Sequence, residues 1–409
     1  MQILYIVPYV PTLIRTRPYN LIHHLAQTHD VTVVTAWSNT QEQAAIRDLQ
    51  AVCAVRAARL TRWQSLRNVV RHLPTRIPLQ AYYCWTKAVA DQIDALIAEG
   101  KRFDAVHVEH LRGVPYGLHW QSIVESYPHL QNVPVVWDSV DCISYLFRQA
   151  AAHGGDGFGR FATRFDLKRT ERFEANMVQT FDHTVVTSQL DKDALIELGE
   201  AVGVSYADRI SVISNGVDLD YFTPDSSIER NPATLVVTGK MSYHANIAMV
   251  TTLVDHIMPL VWQHRPDARL QIVGKDPPRQ LQAFDTHPQI EVTGIVPDVR
   301  DYLQKATIAV APVQYGAGIQ NKVLEAMACA TPTVASQKAV AAIAVQSGHD
   351  LLVGDTHIHI ANHICTLLNN PQHAQQLGQA GRCYVEQHHD WRGCARRLSE
   401  VYEMVNCEW

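Results

Sequence analysis

The chain lacks the marks of several large protein classes, and each absence narrows what it can be. Its eight cysteines (53, 84, 142, 329, 365, 383, 394 and 407) stand far apart with no C-x-x-C pair. That spacing argues against a structural zinc site and for reduced thiols in a cytoplasmic protein. No run of about eighteen apolar residues occurs, so no spanning helix is expected. The opening MQILYIVPYV has no basic n-region and meets Pro8 early, so it reads as a first strand rather than a secretory leader. No G-x-G-x-x-G follows that strand, where PYVPTLIR stands instead, which disfavours a nicotinamide-dependent dehydrogenase. Asp138 and Asp141 in WDSVDCIS are spaced D-x-x-D and read as a strand-closing Asp and a helix cap.

Acidic residues are scarce near the start. Residues 1–90 hold three Asp or Glu against ten Lys or Arg, although the whole chain sums to −5. The density peaks at Arg56, Arg59, Arg62, Arg67, Arg71 and Arg76, interleaved with Trp63, Leu66, Val69, Val70 and Leu73. The default reading is a solvated helix with its apolar side in the core. The alternative is a segment that docks on anionic lipid headgroups or receives an acidic acceptor. No nucleic-acid recognition motif accompanies the arginines, so no nucleic-acid partner is expected.

What is present is a regular alternation of short apolar strands and helical stretches, the pattern of parallel α/β architecture. Strands are expected at Gln2–Val7, Val31–Thr35, Ala105–Glu109, Val133–Asp138, Thr184–Thr187 and Ile210–Ser214. A second series follows at Thr234–Thr238, Arg269–Val273, Ile290–Thr293, Thr307–Pro312, Thr333–Ser336 and Leu351–Val353. The break between them, ISNGVDLDYFTPDSSIERNPATL, carries Asn215-Gly216 and two prolines and reads as a linker. The expected organisation is two doubly wound, Rossmann-like domains, 1–222 and 233–388, joined by 223–232. A last helix within 389–409, anchored by Trp391, would cross back to the first domain. Such a pair leaves a cleft between the carboxyl ends of two sheets, where ligands of these folds bind. The glycine-dense Gly154–Gly159 segment reads as a loop.

The most informative stretch is TIAVAPVQYGAGIQNKVLEAMACATPTVAS, from Thr307 to Ser336. An apolar strand, a loop with Gly316 and Gly318, a helix from about Asn321 and a second strand make a βαβ unit. Backbone N–H groups at such a helix start face an approaching anion. Lys322 stands in the first turn, where a cation disfavours the helix dipole. Its place there suits a phosphate. Glu325, one turn on, suits the hydroxyls of a ribose. The histidines of His357-x-His359-x-x-x-His363, His23-His24 and His388-His389 read as surface or packing residues rather than metal ligands.

With those residues in view, ISNGVDLDYFTP resembles the NGVD-x-x-x-F-x-P linker of the retaining nucleotide-sugar glycosyltransferases of family 4, which have the GT-B fold. GKMSYHANI resembles that family's glycine–cation turn, GIVPDVRDYLQKATIAVAPV its segment around the nucleotide base, and KVLEAMACATPTVAS its helix with the ribose glutamate. The resemblance implies a hexosyltransferase-type enzyme that needs no metal and no cofactor beyond its nucleoside diphosphate sugar. Its acceptor would be a glycan, lipid-linked or other hydroxyl compound. Gly239 and Lys240 would meet the donor diphosphate, with Lys322 as a second cation. Gly318, Ile319, Gln320 and Asn321 would offer backbone N–H groups to the distal phosphate. Glu325 would hold the ribose and Val299 would flank the base. His110 would line the reaction centre, with Glu109 or His107 as its substitute. Arg15 and Arg17 would lie in an acceptor or phosphate loop near Glu109.

Three departures from the family pattern stand out. The loop after the first strand has no glycine. Ala317 occupies the place of a first glutamate eight residues before Glu325, where Gln320 or Asn321 could substitute. Ser214 stands where proline usually precedes Asn-Gly-Val-Asp. The same residues would equally serve a nucleotide-sugar epimerase or a non-catalytic nucleotide-sugar-binding subunit.

Overall fold

A computed structural model describes residues 1–153, 157–201, 203–315 and 318–407, with side chains described outside 150–164. The chain forms two compact units, Met1–Ser214 with Trp391–Trp409, and Asn215–Asp390. The first contains seven strands: β1 (Gln2–Val7), β2 (Asp30–Trp37), β3 (Ala54–Arg59), β4 (Ala105–Glu109), β5 (Val135–Val140), β6 (His183–Val186) and β7 (Ile210–Val212). They pair in the order β3-β2-β1-β4-β5-β6-β7, all parallel. The second contains β8 (Thr234–Thr238), β9 (Arg269–Val273), β10 (Ile290–Gly294), β11 (Ile308–Ala311), β12 (Thr333–Ser336) and β13 (Leu352–Gly354). Their order is β10-β9-β8-β11-β12-β13, again all parallel. Helices cover both faces of such sheets, so central strands are buried on both sides and need continuous apolar runs. Leu4–Val7, Val106 and Val108, Leu235–Val237 and Ile308–Ala311 supply them.

In each sheet the strand order reverses once, between β1 and β4 and between β8 and β11. The loops leaving the carboxyl ends there diverge to opposite faces and open a crevice. In the second unit this juxtaposes Gly239-Lys240, after β8, with 312–315 and 318–322 after β11. In the first it juxtaposes Pro8–Arg15 with His110.

Most expected strands form within two residues of their anticipated ends, but β3 was not foreseen. AVRAAR has one β-branched residue beside two arginines and so does not read as a strand, and its place beside β2 at the sheet edge allows that. Arg56 and Arg59 therefore lie on a strand. Only Arg62, Arg67 and Arg71 lie on the following helix, Arg62–His72, which a Thr61–Gln64 capping box starts.

That helix is inverted relative to the default expectation. Its buried positions are Ser65 and Asn68, while Trp63 is 80% exposed, Leu66 53% and Val70 57%. Asn68 holds the polar side inward by donating to the Tyr82 and Trp85 carbonyls at 3.0 and 2.7 Å.

Of the glycine-dense segment read as a loop, residues 154–156 lie outside the described residues. Gly157–Gly159 fall instead on the helix Gly157–Thr180. Phe158, Phe161 and Phe165 recur there at helical spacing. The stretch His244–His264 is long and apolar enough by length and composition to cross a membrane. In this fold Met249, Leu253, Ile257, Met258 and Val261 are fully buried in the second unit's core. A π-turn at Leu253–Ile257 accommodates Pro259, which has no N–H to donate.

Candidate functional site

The second unit's switch point is assembled from two neighbouring Gly-Lys turns and one helix start. β8 ends at Gly239-Lys240 and β9 at Gly274-Lys275. Both glycines have φ +154°, and a Cβ on Gly274 would collide with the Gly239 carbonyl. The turns lock side by side, the Gly239 N–H donating to Val273 at 3.1 Å and the Met241 N–H to Lys275 at 2.9 Å. Only glycine permits backbones to approach so closely.

Asn246 then ties this turn to the helix Asn321–Ala328. Its Nδ2 donates to the Lys240 carbonyl at 2.9 Å, and its Oδ1 accepts from Lys322 Nζ at 3.0 Å. A Cβ on Gly239 would lie 2.8 Å from Asn246 Nδ2, so that glycine also protects the link. Gln320 Oε1 accepts from the same ammonium at 3.2 Å. Lys322 is thereby held by two neutral amide oxygens and lies without a carboxylate within salt-bridge distance among the described residues. Burial lowers its pKa, with Glu325 opposing. Burial likewise raises the Glu325 carboxyl to about 7, with Lys322 opposing. No side chain caps the helix; Val323 N–H donates to the Gln320 carbonyl at 2.9 Å, and the amides of Asn321 and Lys322 before it face an approaching anion. Gly318 adopts φ +73°, the left-handed turn that leads the chain into this start, past Ile319.

The structure therefore brings together Gly239, Lys240, Gln320, Lys322 and Glu325 of the expected set. Asn321 begins the helix and is exposed. Val299 stands at the N-cap of Arg300–Lys305, packed with Leu303 and Ala326. Gly316 and Ala317, the position of the absent first glutamate, lie outside the described residues. Gln320, a suggested substitute for it, is engaged with Lys322. Asn246 and Gly274-Lys275 were missed. The repeated Gly-Lys at the ends of consecutive strands was a readable signal, whereas nothing local marks Asn246.

The first unit's switch point has a different character. Arg17 is 4% exposed, and its guanidinium pairs with Asp138 Oδ2 at 2.8 Å and donates to the Ile213 carbonyl at 2.9 Å. Glu109 Oε2 accepts from Tyr5 at 2.8 Å and lies 3.3 Å from His107 Nε2. Tyr402, on the final helix Trp391–Cys407, shares a hydrogen bond of 2.8 Å with His107 Nδ1. Burial raises Glu109 to about 7 and lowers His107 to about 4.

Arg17, in the loop after β1, and Glu109, at the end of β4, were expected to face acceptor or phosphate, and the structure corrects this. Both are sealed in the sheet's carboxyl edge because each has a buried partner far away in sequence, 121 residues for Arg17 and 104 for Glu109, which local reading cannot supply. The ligand-type atoms of His107, Glu109 and Asp138 lie within 4.8 Å of one another, a spacing that suits a metal. The positive charge facing Asp138 is Arg17's.

Arg15 remains at the surface, paired with Glu42 at 2.9 Å and lying over the Tyr9 ring. His110 opens the helix His110–Val124 with φ +62°, an uncommon conformation for a residue other than glycine. Its Nδ1 accepts the Arg112 N–H at 3.2 Å, so Nε2 carries the proton. Burial lowers its pKa to about 3, with Arg112 adding to the effect, and the imidazole is a neutral donor.

Two family models match this chain. One described as Glycosyltransferase Family 4 covers residues 15–221, and one described as Glycosyl transferases group 1 covers residues 232–370. Among curated relatives, the alpha-maltose-1-phosphate synthase of Mycolicibacterium smegmatis is 24% identical over 57% of this chain and 66% of its own length. A GDP-mannose-dependent monoacylated alpha-(1-6)-phosphatidylinositol monomannoside mannosyltransferase of Corynebacterium glutamicum is 28% identical over 47% of this chain and 55% of its own. The chain thus spans less than two thirds of either. Among solved structures, Anabaena Alr3699/HepE in complex with UDP superposes with a TM-score of 0.68 at 15% identity, covering 99% of this chain and all of that one. Sucrose-phosphate synthase from Thermosynechococcus elongatus superposes at 0.66 and 17%, covering all of both chains. These are GT-B glycosyltransferases, and at such identity the likeness establishes the fold.

Proposed function

This chain belongs to glycosyltransferase family 4, and from that premise we propose that it moves a glycosyl group from a nucleoside diphosphate sugar to a hydroxyl acceptor, with retention and without a metal. The observation that carries this reading is Lys322. It is a desolvated cation held by Asn246 and Gln320 at an uncapped helix start, beside the Gly239-Lys240 turn.

Breaking the anomeric C–O bond leaves negative charge on the departing diphosphate. Lys322, Lys240 and the helix amides of 318–321 are suited to stabilise that charge as it forms. A preorganised donor of this kind contributes about 2.7–4 kcal/mol. The acceptor oxygen bonds to the anomeric carbon on the face the diphosphate leaves, and its proton passes to a diphosphate oxygen. Glu325 accepts hydrogen bonds from ribose hydroxyls. His110 is assigned as a neutral Nε2–H donor to the sugar. The acceptor is a glycan or a lipid-linked saccharide.

A peripheral, cytoplasmic-face membrane association belongs to the same reading. Trp63, Leu66, Val70 and Leu73 form an exposed apolar stripe flanked by Arg62, Arg67 and Arg71, the composition of an interfacial helix. Flotation with phosphatidylserine vesicles should carry the wild type upward, and Arg62, Arg67 and Arg71 changed to Glu should abolish it. Unchanged partitioning would end the membrane reading.

The central test is nucleotide release from UDP-, GDP- and ADP-sugars, with and without acceptors and EDTA. Release from one donor, raised by acceptor and indifferent to EDTA, is the expected result. Binding of nucleotide with no release from any donor would refute transfer. Loss of release in EDTA would refute metal independence alone.

A further inference from the structure

The carboxyl edge of the first sheet holds a carboxylate that the fold leaves nearly unused. Asp141 follows β5, where its place in the sequence suits a cap for the helix Ile143–His153. Other carboxylates do that work. Glu174 accepts the Ile143 and Ser144 N–H groups at 2.7 and 3.1 Å, and Asp191 accepts the Cys142 N–H at 2.9 Å. Glu174 and Asp191 are buried, whereas Asp141 is half-buried. Among the described residues its carboxylate accepts only the Thr187 hydroxyl, at a long 3.4 Å. Its backbone, by contrast, is held on both sides. The Asp141 N–H donates to the Ser139 carbonyl at 2.9 Å, and its carbonyl accepts from Ser139 Oγ at 2.9 Å.

Position and setting narrow what this carboxylate meets. β5 pairs with β4, Asp138 opposite Glu109, so Asp141 leaves the sheet beside the strand that leads into His110. Burial raises its carboxyl to about 6, with Asp191 adding to the rise and Arg17 opposing it. Such a group accepts hydrogen bonds, pairs with a cation or ligates a metal. A metal needs several ligands at coordination spacing, and Asp141 belongs to no such group among the described residues. The Arg17 guanidinium that acts on it disfavours an ammonium in the same place. Hydroxyls remain, and two neighbouring hydroxyls of one molecule can share the two oxygens of a carboxylate.

We propose that Asp141 binds the acceptor, taking a hydrogen bond from a hydroxyl next to the one that is glycosylated. The acceptor is then a polyhydroxyl compound, a saccharide or polyol, and not a monohydric alcohol. This rests on the transfer reading and leaves its chemistry unchanged, since the reacting hydroxyl still gives its proton to the diphosphate. Asp141 decides which hydroxyl of the acceptor is presented.

The test is nucleotide release by the full chain with methyl glucoside, methyl mannoside and methyl galactoside as acceptors, their monodeoxy forms, and propan-1-ol as the monohydric control. At least one methyl glycoside should raise release and propan-1-ol should not. Asp141→Ala should raise the acceptor KM at least about tenfold, with UDP or GDP affinity and melting temperature unchanged. Asp141→Asn, which keeps the shape and one acceptor oxygen, should fold if the alanine variant does not, and should raise that KM by less. One monodeoxy acceptor should cost the wild type as much as Asp141→Ala does, and cost the variant nothing further. Equal stimulation by propan-1-ol, no stimulation by any glycoside, an acceptor KM unchanged in both variants, or a matching loss of nucleotide affinity would each overturn the role of Asp141 alone. No release from any donor would overturn the transfer reading and this one with it.

Discussion

The two switch points use the same topology and opposite electrostatics. In the first unit Arg17, Asp138, His107, Glu109, Tyr5 and Tyr402 bond to one another in a sealed network, each between 0 and 4% exposed, with Glu109 Oε1 left without a partner. In the second, Lys240 is exposed and Lys322 meets only amide oxygens and the nearby Glu325, which burial holds toward its neutral form. A charge with a full set of internal partners serves the fold. A charge kept from pairing is held for something that arrives. A titratable cluster at a sheet's carboxyl edge is therefore no sign of function until its partners are counted.

The sharpest way to break this comparison is to open the sealed network. Asp138→Ala leaves the Arg17 guanidinium buried and unpaired, and should cost about 3–5 kcal/mol in urea unfolding. A loss of about 1 kcal/mol or less, the worth of an exposed pair, would show that the network does not hold the fold. Lys322→Ala should do the reverse. Turnover should fall by about 10²–10³ with little change in melting temperature, since the one carboxyl that faces Lys322, Glu325, is already held toward its neutral form by burial. Equal losses of turnover and donor affinity would mean Lys322 binds the ground state rather than the departing charge.

Glu325→Ala should cost about 1.5–3 kcal/mol of donor binding, seen as a raised KM; an unchanged KM would remove the ribose role. Asn246→Ala should lower kcat about tenfold by loosening the Lys322 ammonium. Unlike Lys322→Ala, it should keep the plateau of activity seen when that lysine is present.

The smallest effect concerns pH. The Glu325 pKa is raised from its ordinary 4.5 to about 7, so its stabilising contribution is complete below about 4.5 and is lost as pH rises through about 7. Wild type should lose stability across that window relative to Glu325→Gln, with Glu109 and Glu174, a second carboxyl that burial raises to about 7, common to both and cancelling. A difference independent of pH would place Glu325 in a more solvated setting.

Much of the fold was legible because parallel strands need apolar runs, and all six strands of the second unit announced themselves that way. The β3 strand did not, because an edge strand tolerates arginine. The helix Arg62–His72 shows the same gap from the other side. Its amphipathic pattern was plain in the residues, but which side faces the core depends on Tyr82 and Trp85 receiving Asn68.

Within the candidate site, Gly239, Lys240, Lys322 and Glu325 could be named from the chain because strand-to-helix turns and helix starts are local. Their sequence neighbours dictate glycine's backbone and the cation's place in the first turn. The partners those residues take could not be named. Asn246 reaches Lys322 across 76 residues, Arg17 reaches Asp138 across 121, and Tyr402 reaches His107 across 295. Hydrogen bonds act over about 3 Å in space and at no fixed distance in sequence. The local code thus determined which residues carry charge at each sheet's edge. Only the tertiary fold decided which of those charges are neutralised inside it and which are left to meet a substrate.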